Sequence, residues 1–249
     1  MKNEVSNLLM KKLLKRLLSL LHISVTRNQK YDAYTQKIIR QSLKPDSNCI
    51  DIGCHKGEIL DLMIKDAPLG KKLGFEPIPE LYQYLAVRYK DNPTVTIHPT
   101  ALYDKAGSTT FQHVLNAPAY SGIKKRKYDG KHVDIDQITV ETGLLDHIIP
   151  ADLQIDLMKI DVEGAEFRVM KGGAATLKRC KPIIIFEYGL GAADFYDSNP
   201  IQLYSFLISE CKMKISTLNG YLDHAPALTE SQFCKMFEQG SEYYFVAHP

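Results

Sequence analysis

The stretch Asp51-Ile-Gly-Cys-His-Lys-Gly57 constrains the fold of this chain more than any other. An apolar run over residues 48–52 enters it and a helical pattern over 58–65 leaves it. Glycines are needed in such a turn because backbone must approach a ligand closely at the carboxyl end of a first strand, where open α/β sheets bind ligands. The helix start adds N–H groups suited to a carboxylate or phosphate. Glu76 ends the next apolar run, Gly74-Phe-Glu-Pro77, and a carboxylate there can accept hydrogen bonds from both hydroxyls of a ribose.

The rest of the chain repeats the alternation. Strands are predicted over 48–52, 72–76, 94–98, 155–161 and 182–187, and helices over 58–65, 78–89, 165–177 and 201–210. That order predicts a doubly wound α/β sheet, mostly parallel. Residues 107–139 break the pattern with a strand-like run at 109–115, the loop Asn116-Ala-Pro-Ala-Tyr-Ser-Gly122 and the basic run Lys124–Lys127, and they read as an insertion. Runs at 214–218 and 243–248 predict two more strands joined by a turn around Asn219-Gly220, the last strand antiparallel.

The first thirty residues differ. Leu8, Leu9, Leu13, Leu14, Leu17, Leu18 and Leu21 recur at helical spacing, with Lys11, Lys12, Lys15 and Arg16 on the other face. The expected organisation is an amphipathic basic helix over 1–30 and one domain over 31–249. The helix packs on the domain or an oligomer contact, or touches a membrane surface peripherally; it is too short in uncharged residues to span one. A net charge of +2 argues against a nucleic-acid partner. The five cysteines and eight histidines are scattered, which predicts a reducing, cytoplasmic setting and no dedicated metal site.

The turn suits two cofactor classes. Dinucleotide sites carry Gly-x-Gly-x-x-Gly, whose second glycine admits the pyrophosphate, but His55 and Lys56 stand here instead. S-adenosylmethionine has no phosphate and carries a sulfonium and an ammonium, which favour a carboxylate such as Asp51. A nicotinamide-dependent oxidoreductase and a non-enzymatic membrane- or partner-binding scaffold are the alternatives.

A second constellation lies in Asp156-Leu-Met-Lys-Ile-Asp-Val-Glu-Gly-Ala-Glu166. Strand alternation puts Lys159 and Asp161 on one side. Glu163 follows in the turn, and Glu187 ends the apolar run Ile183-Ile-Ile-Phe186. Charges inside an apolar strand are costly unless paired or used. Asp161 and Glu163 capping the next helix is the plainer account.

The motifs Ile50-Asp-Ile-Gly-Cys-His-Lys-Gly57, Phe75-Glu-Pro77, Val133-Asp-Ile-Asp136, Lys159-Ile-Asp-Val-Glu-Gly-Ala-Glu166 and Pro182-Ile-Ile-Ile-Phe-Glu187 resemble the FkbM-type methyltransferase family. The resemblance runs from about Asn48 to Glu187. It implies a class I, Rossmann-like methyltransferase fold, S-adenosylmethionine as methyl donor, and O-methylation of a glycan or natural-product hydroxyl. It carries over Asp51, Gly53 and Glu76 as cofactor contacts, and Lys159, Asp161 and Glu163 as the reaction centre. Where this chain has Cys54-His55 the family usually has Ala-Asn. Cys54, His55, Gly57, Pro77 and Ala101 complete the expected cofactor contacts.

An alcohol acceptor must lose a proton, so Asp161 or Glu163 is the expected base, with Lys159 orienting it. Two other roles stay open for Asp161: the cofactor's ammonium, or a magnesium ion shared with Glu187. Tyr120, Ser121, Arg126 and Glu187 are the expected acceptor contacts. Arg126 is the best bidentate donor to an acidic or phosphorylated acceptor, although a charge run is also what a solvated face looks like.

Overall fold

The structure, a computed structural model, describes residues 26–128 and 132–249. Of the basic helix expected over 1–30, residues 1–25 lie outside the described residues. Thr26 instead caps a different helix, α1 (Arg27–Ser42), through a capping box with Gln29. Its buried side chains, Tyr31, Thr35, Ile38 and Ile39, recur at helical spacing and face the domain. The sequence reading did not foresee this helix.

The main sheet has seven strands in the order β3-β2-β1-β7-β8-β10-β9. Strands β1 (Cys49–Ile52), β2 (Lys72–Phe75), β3 (Val95–His98), β7 (Leu157–Ile160) and β8 (Ile183–Glu187) are mutually parallel. Strand β10 (Tyr244–His248) runs antiparallel to both β8 and β9 (Lys214–Thr217). Every residue of β1 and β7 is buried, as helices on both faces of a parallel sheet require. The chain leaves β1 toward one edge and returns at β7 toward the other, so their carboxyl ends form the switch point where such sheets bind ligands. Helices α2 (Glu58–Asp66) and α3 (Pro79–Arg88) follow β1 and β2 as expected.

The segment after β3, expected as an insertion over 107–139, has its own sheet: β4 (Ala101–Leu102), β5 (Gly107–Val114) and β6 (Ile135–Gly143) pair in the order β4-β6-β5 around Ala101, Phe111 and Val140. Beyond a short helix α4 (Leu145–Ile148), the helix expected over 165–177 is two, α5 (Glu166–Gly172) and α6 (Ala174–Cys180), divided at Gly173 where helix propensity is poorest. The helix expected over 201–210 is present as α7 (Pro200–Ser205), continued by a π-helical turn over Phe206–Glu210.

At Asn219-Gly220 a helix replaces the expected turn. Strands β9 and β10 pair as expected, but no hairpin turn joins them. Thr217 caps helix α8 (Leu218–Leu222) by accepting from the Gly220 N–H, and α9 (Glu230–Gln239), with its own Thr229/Gln232 capping box, follows. Among the described residues no helix is long and apolar enough to cross a membrane.

Helix α9 matters to the site because it backs the strand that carries Tyr244. Phe233 is fully buried, with ring centroids 4.8 Å from Phe245 and 6.0 Å from Tyr188. Phe233→Ala is expected to cost about 3–5 kcal/mol of folding stability, read by equilibrium denaturation. A loss below about 1 kcal/mol would show that α9 does not pin β10.

Candidate active site

The turn after β1 is wired to the end of β2. The N–H groups of Gly53 and Cys54 both donate to the Phe75 carbonyl, at 3.0 and 3.2 Å. The His55 N–H donates to Glu76 Oε2 at 2.8 Å, and the Ile78 N–H to Glu76 Oε1 at 3.0 Å. These backbone donors, which a pyrophosphate would need, are therefore committed within the protein. Gly53 has φ +83°, and a Cβ there would lie 2.0 Å from the Asp161 carbonyl oxygen, so this glycine also admits the neighbouring loop. His55 sits at φ 50°, a left-handed conformation that histidine and asparagine both tolerate. This accounts for His55 where the resembling family has asparagine.

Two cavities flank this turn and share Gly53, His55, Ala119, Asp161 and Glu163 among their linings. The smaller, ≈ 70 Å³, is an apolar slot made by Ile78, Leu81, Ala101, Phe111 and Ile123, with Glu76 and Pro77 at its edge. The larger, ≈ 240 Å³, is lined by the carboxyls of Asp32, Asp51, Glu58, Asp161 and Glu163 against the single ammonium of Lys159. Gly57 lines neither; its carbonyl accepts from the Tyr89 hydroxyl under the turn. Cys54 is buried and its thiol donates to the Asp51 carbonyl.

The floor is a chain of charges. Asp51 and Lys159 are register partners on β1 and β7, and Lys159 Nζ bonds Asp161 Oδ2 at 2.7 Å. The same oxygen accepts from the Tyr244 hydroxyl at 2.6 Å. Burial pushes Asp161 upward, but Lys159, Tyr244 and a hydrogen bond from Glu187 outweigh it and hold this carboxyl below its ordinary value. Burial and the Asp161 charge drive Glu187 well upward. One oxygen from each of Asp161, Glu163 and Glu187 lies within 4.8 Å of the others. That spacing would also suit a divalent cation's ligands; in the structure Lys159 pairs with Asp161 and Arg126 with Glu163. Asp51 is different: burial raises it to about 7 against the pull of Lys159, and its Oδ2 is buried without a hydrogen-bond partner. Burial also raises Glu76 to about 7.

Glu166, rather than Asp161 or Glu163, secures the turn before α5: its Oε1 accepts from the N–H groups of Val162 and Gly164, both at 3.1 Å. Glu163 is left to face both cavities at φ 57° and forms an ion pair with Arg126.

Of the expected acceptor contacts, Ser121 lines the apolar slot, but its hydroxyl is engaged by the Val114 N–H at 2.9 Å. Arg126 turns inward to Glu163 and lies 5.1 Å from the Tyr120 ring centre. The basic run is therefore no simple solvated face. Its backbone is pinned where Lys124 N–H meets the Tyr196 hydroxyl and Lys127 N–H meets the Gly191 carbonyl. Glu187 lies behind Asp161 and lines neither cavity. The sequence reading missed Tyr31, Asp32 and Thr35 of α1 and Tyr244 of β10; the Thr26/Gln29 capping box was the available signal for the first three.

Fold and crevice together define a class I methyltransferase domain of Rossmann-like architecture. The sequence matches the Methyltransferase FkbM domain over residues 51–218, and the chain belongs to that family. Among solved structures it is similar to the methyltransferase FkbM of Methylobacillus flagellatus KT, at 15% identity and a TM-score of 0.52. The alignment covers 86% of this chain and 48% of that one, so this chain spans about half the length of that relative. It is also similar to an O-methyltransferase from Bacillus cereus in complex with SAH, at 10% identity and a TM-score of 0.47, covering 90% and 81% of the two chains. A precorrin-6y C5,15-methyltransferase from Geobacter metallireducens GS-15 aligns at 14% identity and a TM-score of 0.44, covering 91% and 92%. At 15% identity the likeness to the Methylobacillus flagellatus structure is one of fold. No curated protein sequence matches the chain.

The raised Asp51 carboxyl gives a signed prediction. Its folded value lies above its unfolded one, so its contribution to stability is fully present below about pH 4 and is lost as pH rises through about 7. Burial lowers His98 and His248, which act in the opposite direction, so the comparison must be differential. Asp51→Asn is expected to gain stability relative to wild type between about pH 5 and 8, read by thermal denaturation across that window. A pH-independent difference would refute the assignment.

Proposed function

We propose that this chain is an S-adenosylmethionine-dependent methyltransferase acting on a hydroxyl of a glycan or natural-product acceptor. The carrying observation is the charge of the larger cavity, whose carboxyls outnumber its one ammonium and include the unpartnered Asp51 Oδ2. A cationic ligand without phosphate fits both that charge and the committed N–H groups of the turn.

Bound there, S-adenosylmethionine supplies a methyl group on a positively charged sulfur, open to in-line attack by an oxygen. On this reading Glu76 keeps lone pairs for the ribose hydroxyls beyond the two that hold the turn. Ile78, Leu81 and Phe111 of the apolar slot would hold the adenine, and Asp51 would serve the cationic end. Asp161 is saturated by Lys159, Tyr244 and Glu187, which makes it a positioning group rather than a base. Glu163 borders both cavities and has Arg126 as its partner, so it takes the acceptor's proton, while the Tyr120–Arg126 loop excludes water. An acidic or phosphorylated acceptor would give Arg126 a bidentate partner in exchange for Glu163.

Calorimetry tests the donor assignment: heat is expected with S-adenosylhomocysteine and none with a nicotinamide dinucleotide. The reverse would return the oxidoreductase reading. Glu163→Gln is expected to lower kcat roughly 10²–10⁴-fold with donor KM unchanged. Arg126→Ala is expected to raise the acceptor's KM. An unaltered kcat in the first variant would remove Glu163 as base, and an unaltered KM in the second would remove the clamp.

A further inference from the structure

Helix α1 lies outside the residues that match the family domain, yet it walls the anionic cavity with Tyr31, Asp32 and Thr35. Its docking is specific. Arg27 donates to the Gly240 carbonyl and to the Tyr31 hydroxyl, both at 2.9 Å, and that hydroxyl donates to Glu242. The Tyr31 ring lies 4.8 Å from that of Tyr243 and 5.1 Å from that of Tyr244, whose hydroxyl holds Asp161. A continuous set of contacts therefore sets the height and rotation of α1 against the reaction centre.

That rotation brings Asp32 and Thr35, one helical turn apart, to the cavity. Asp32 stands at the exposed rim with no hydrogen bond or ion pair among the described residues. Asp51 lines the same cavity and has a buried, unpartnered Oδ2. Lys159 is already bonded to Asp161, so neither Asp32 nor Asp51 has a cation of its own. Burial raises both carboxyls, as expected where the balancing charge must come from a ligand.

We infer that α1 is part of the donor site, with Asp32 at the rim and Asp51 on the floor holding the α-ammonium of the donor's amino-acid end between them. This rests on the donor reading above. The residues matching the family domain supply one of these two carboxylates, and the preceding helix supplies the other. Asp32 thus recognises the amino-acid portion of the ligand and is indifferent to its nucleoside.

The test is calorimetry on the full chain with two probes, S-adenosylhomocysteine and 5′-methylthioadenosine, which shares the nucleoside but has no amino-acid end. Asp32→Asn is expected to weaken S-adenosylhomocysteine roughly tenfold, the loss of one charge-assisted contact, and to leave 5′-methylthioadenosine unchanged. Asp32→Glu is expected to restore part of the loss. Equal losses for both probes would mean that the variant merely displaces α1, and no loss for either would mean that Asp32 touches nothing; each overturns the inference while wild-type binding keeps the donor reading. If the wild-type chain binds neither probe, the donor reading falls and this inference with it. S-adenosylmethionine should lose the same factor as S-adenosylhomocysteine, because a larger loss would place Asp32 at the sulfonium instead.

Discussion

Lys159 is the interaction on which the crevice depends. It is the one lysine or arginine lining the anionic cavity, it stands on the central strand β7, and its side chain is 5% exposed. A buried ion pair of this kind adds little net stability, because desolvation offsets most of the attraction, but it fixes direction. With Tyr244 it aims Asp161 and keeps that carboxylate ionised. Its hydrogen bond goes to Asp161 and not to Asp51. Asp51, its register partner on β1, is left near neutrality in its titration and without a hydrogen-bond partner at Oδ2. Environment thus divides similar groups: Asp161 is partnered within the protein, whereas Asp51 has no hydrogen-bond partner at Oδ2.

The two loops that carry these groups are also interlocked. The turn after β1 touches the loop after β7 so closely that the site of a Gly53 Cβ is 2.0 Å from the Asp161 carbonyl oxygen. The loop after β7 in turn meets the segment after β8, where a Cβ on Gly164 would lie 2.5 Å from the Ala192 carbonyl. Glu166 ties the same loop down through Val162 and Gly164. Methyl transfer depends on alignment more than on acid catalysis, because the leaving thioether needs no proton. A donor floor and an acceptor floor that cannot shift independently suit that requirement.

This interlock also shows where reading the chain alone stops. The β1 turn, Glu76 and the Lys159/Asp161 pair are local patterns, and each was legible because residue type and spacing carry it. The reading that glycine in the turn serves close approach was right in kind, but the approaching group includes the chain itself, which no local pattern reveals. Asn219-Gly220 reads as a hairpin turn because that dipeptide favours one. Here Thr217, two residues earlier, captures the Gly220 N–H and starts a helix. Helix α1 buries only Tyr31, Thr35, Ile38 and Ile39 along sixteen mostly polar residues, so its apolar signal is weak and the capping box is its clearest mark. Tyr244 reaches Asp161 from 83 residues away. Only the sheet order, with β10 beside β8, brings them together.

The Arg126–Glu163 pair bears on which acceptors the proposed site would favour. Both side chains are mostly buried, at 16% and 12% exposure, and the loop that carries Arg126 is pinned through Lys124 and Lys127 rather than free to swing away whole. On the proposed reading, a hydroxyl that loses its proton to the Glu163 oxygen paired with Arg126 would displace the guanidinium. A neutral acceptor would leave that guanidinium mostly buried without a counter-charge, which is the expensive way to break such a pair. An acceptor with a carboxylate or phosphate near the hydroxyl offers Arg126 an equivalent partner, stacked as it is against Tyr120. On the proposed reading, acceptor arrival and release of the base would then be one exchange of ion pairs, which would favour acidic acceptors.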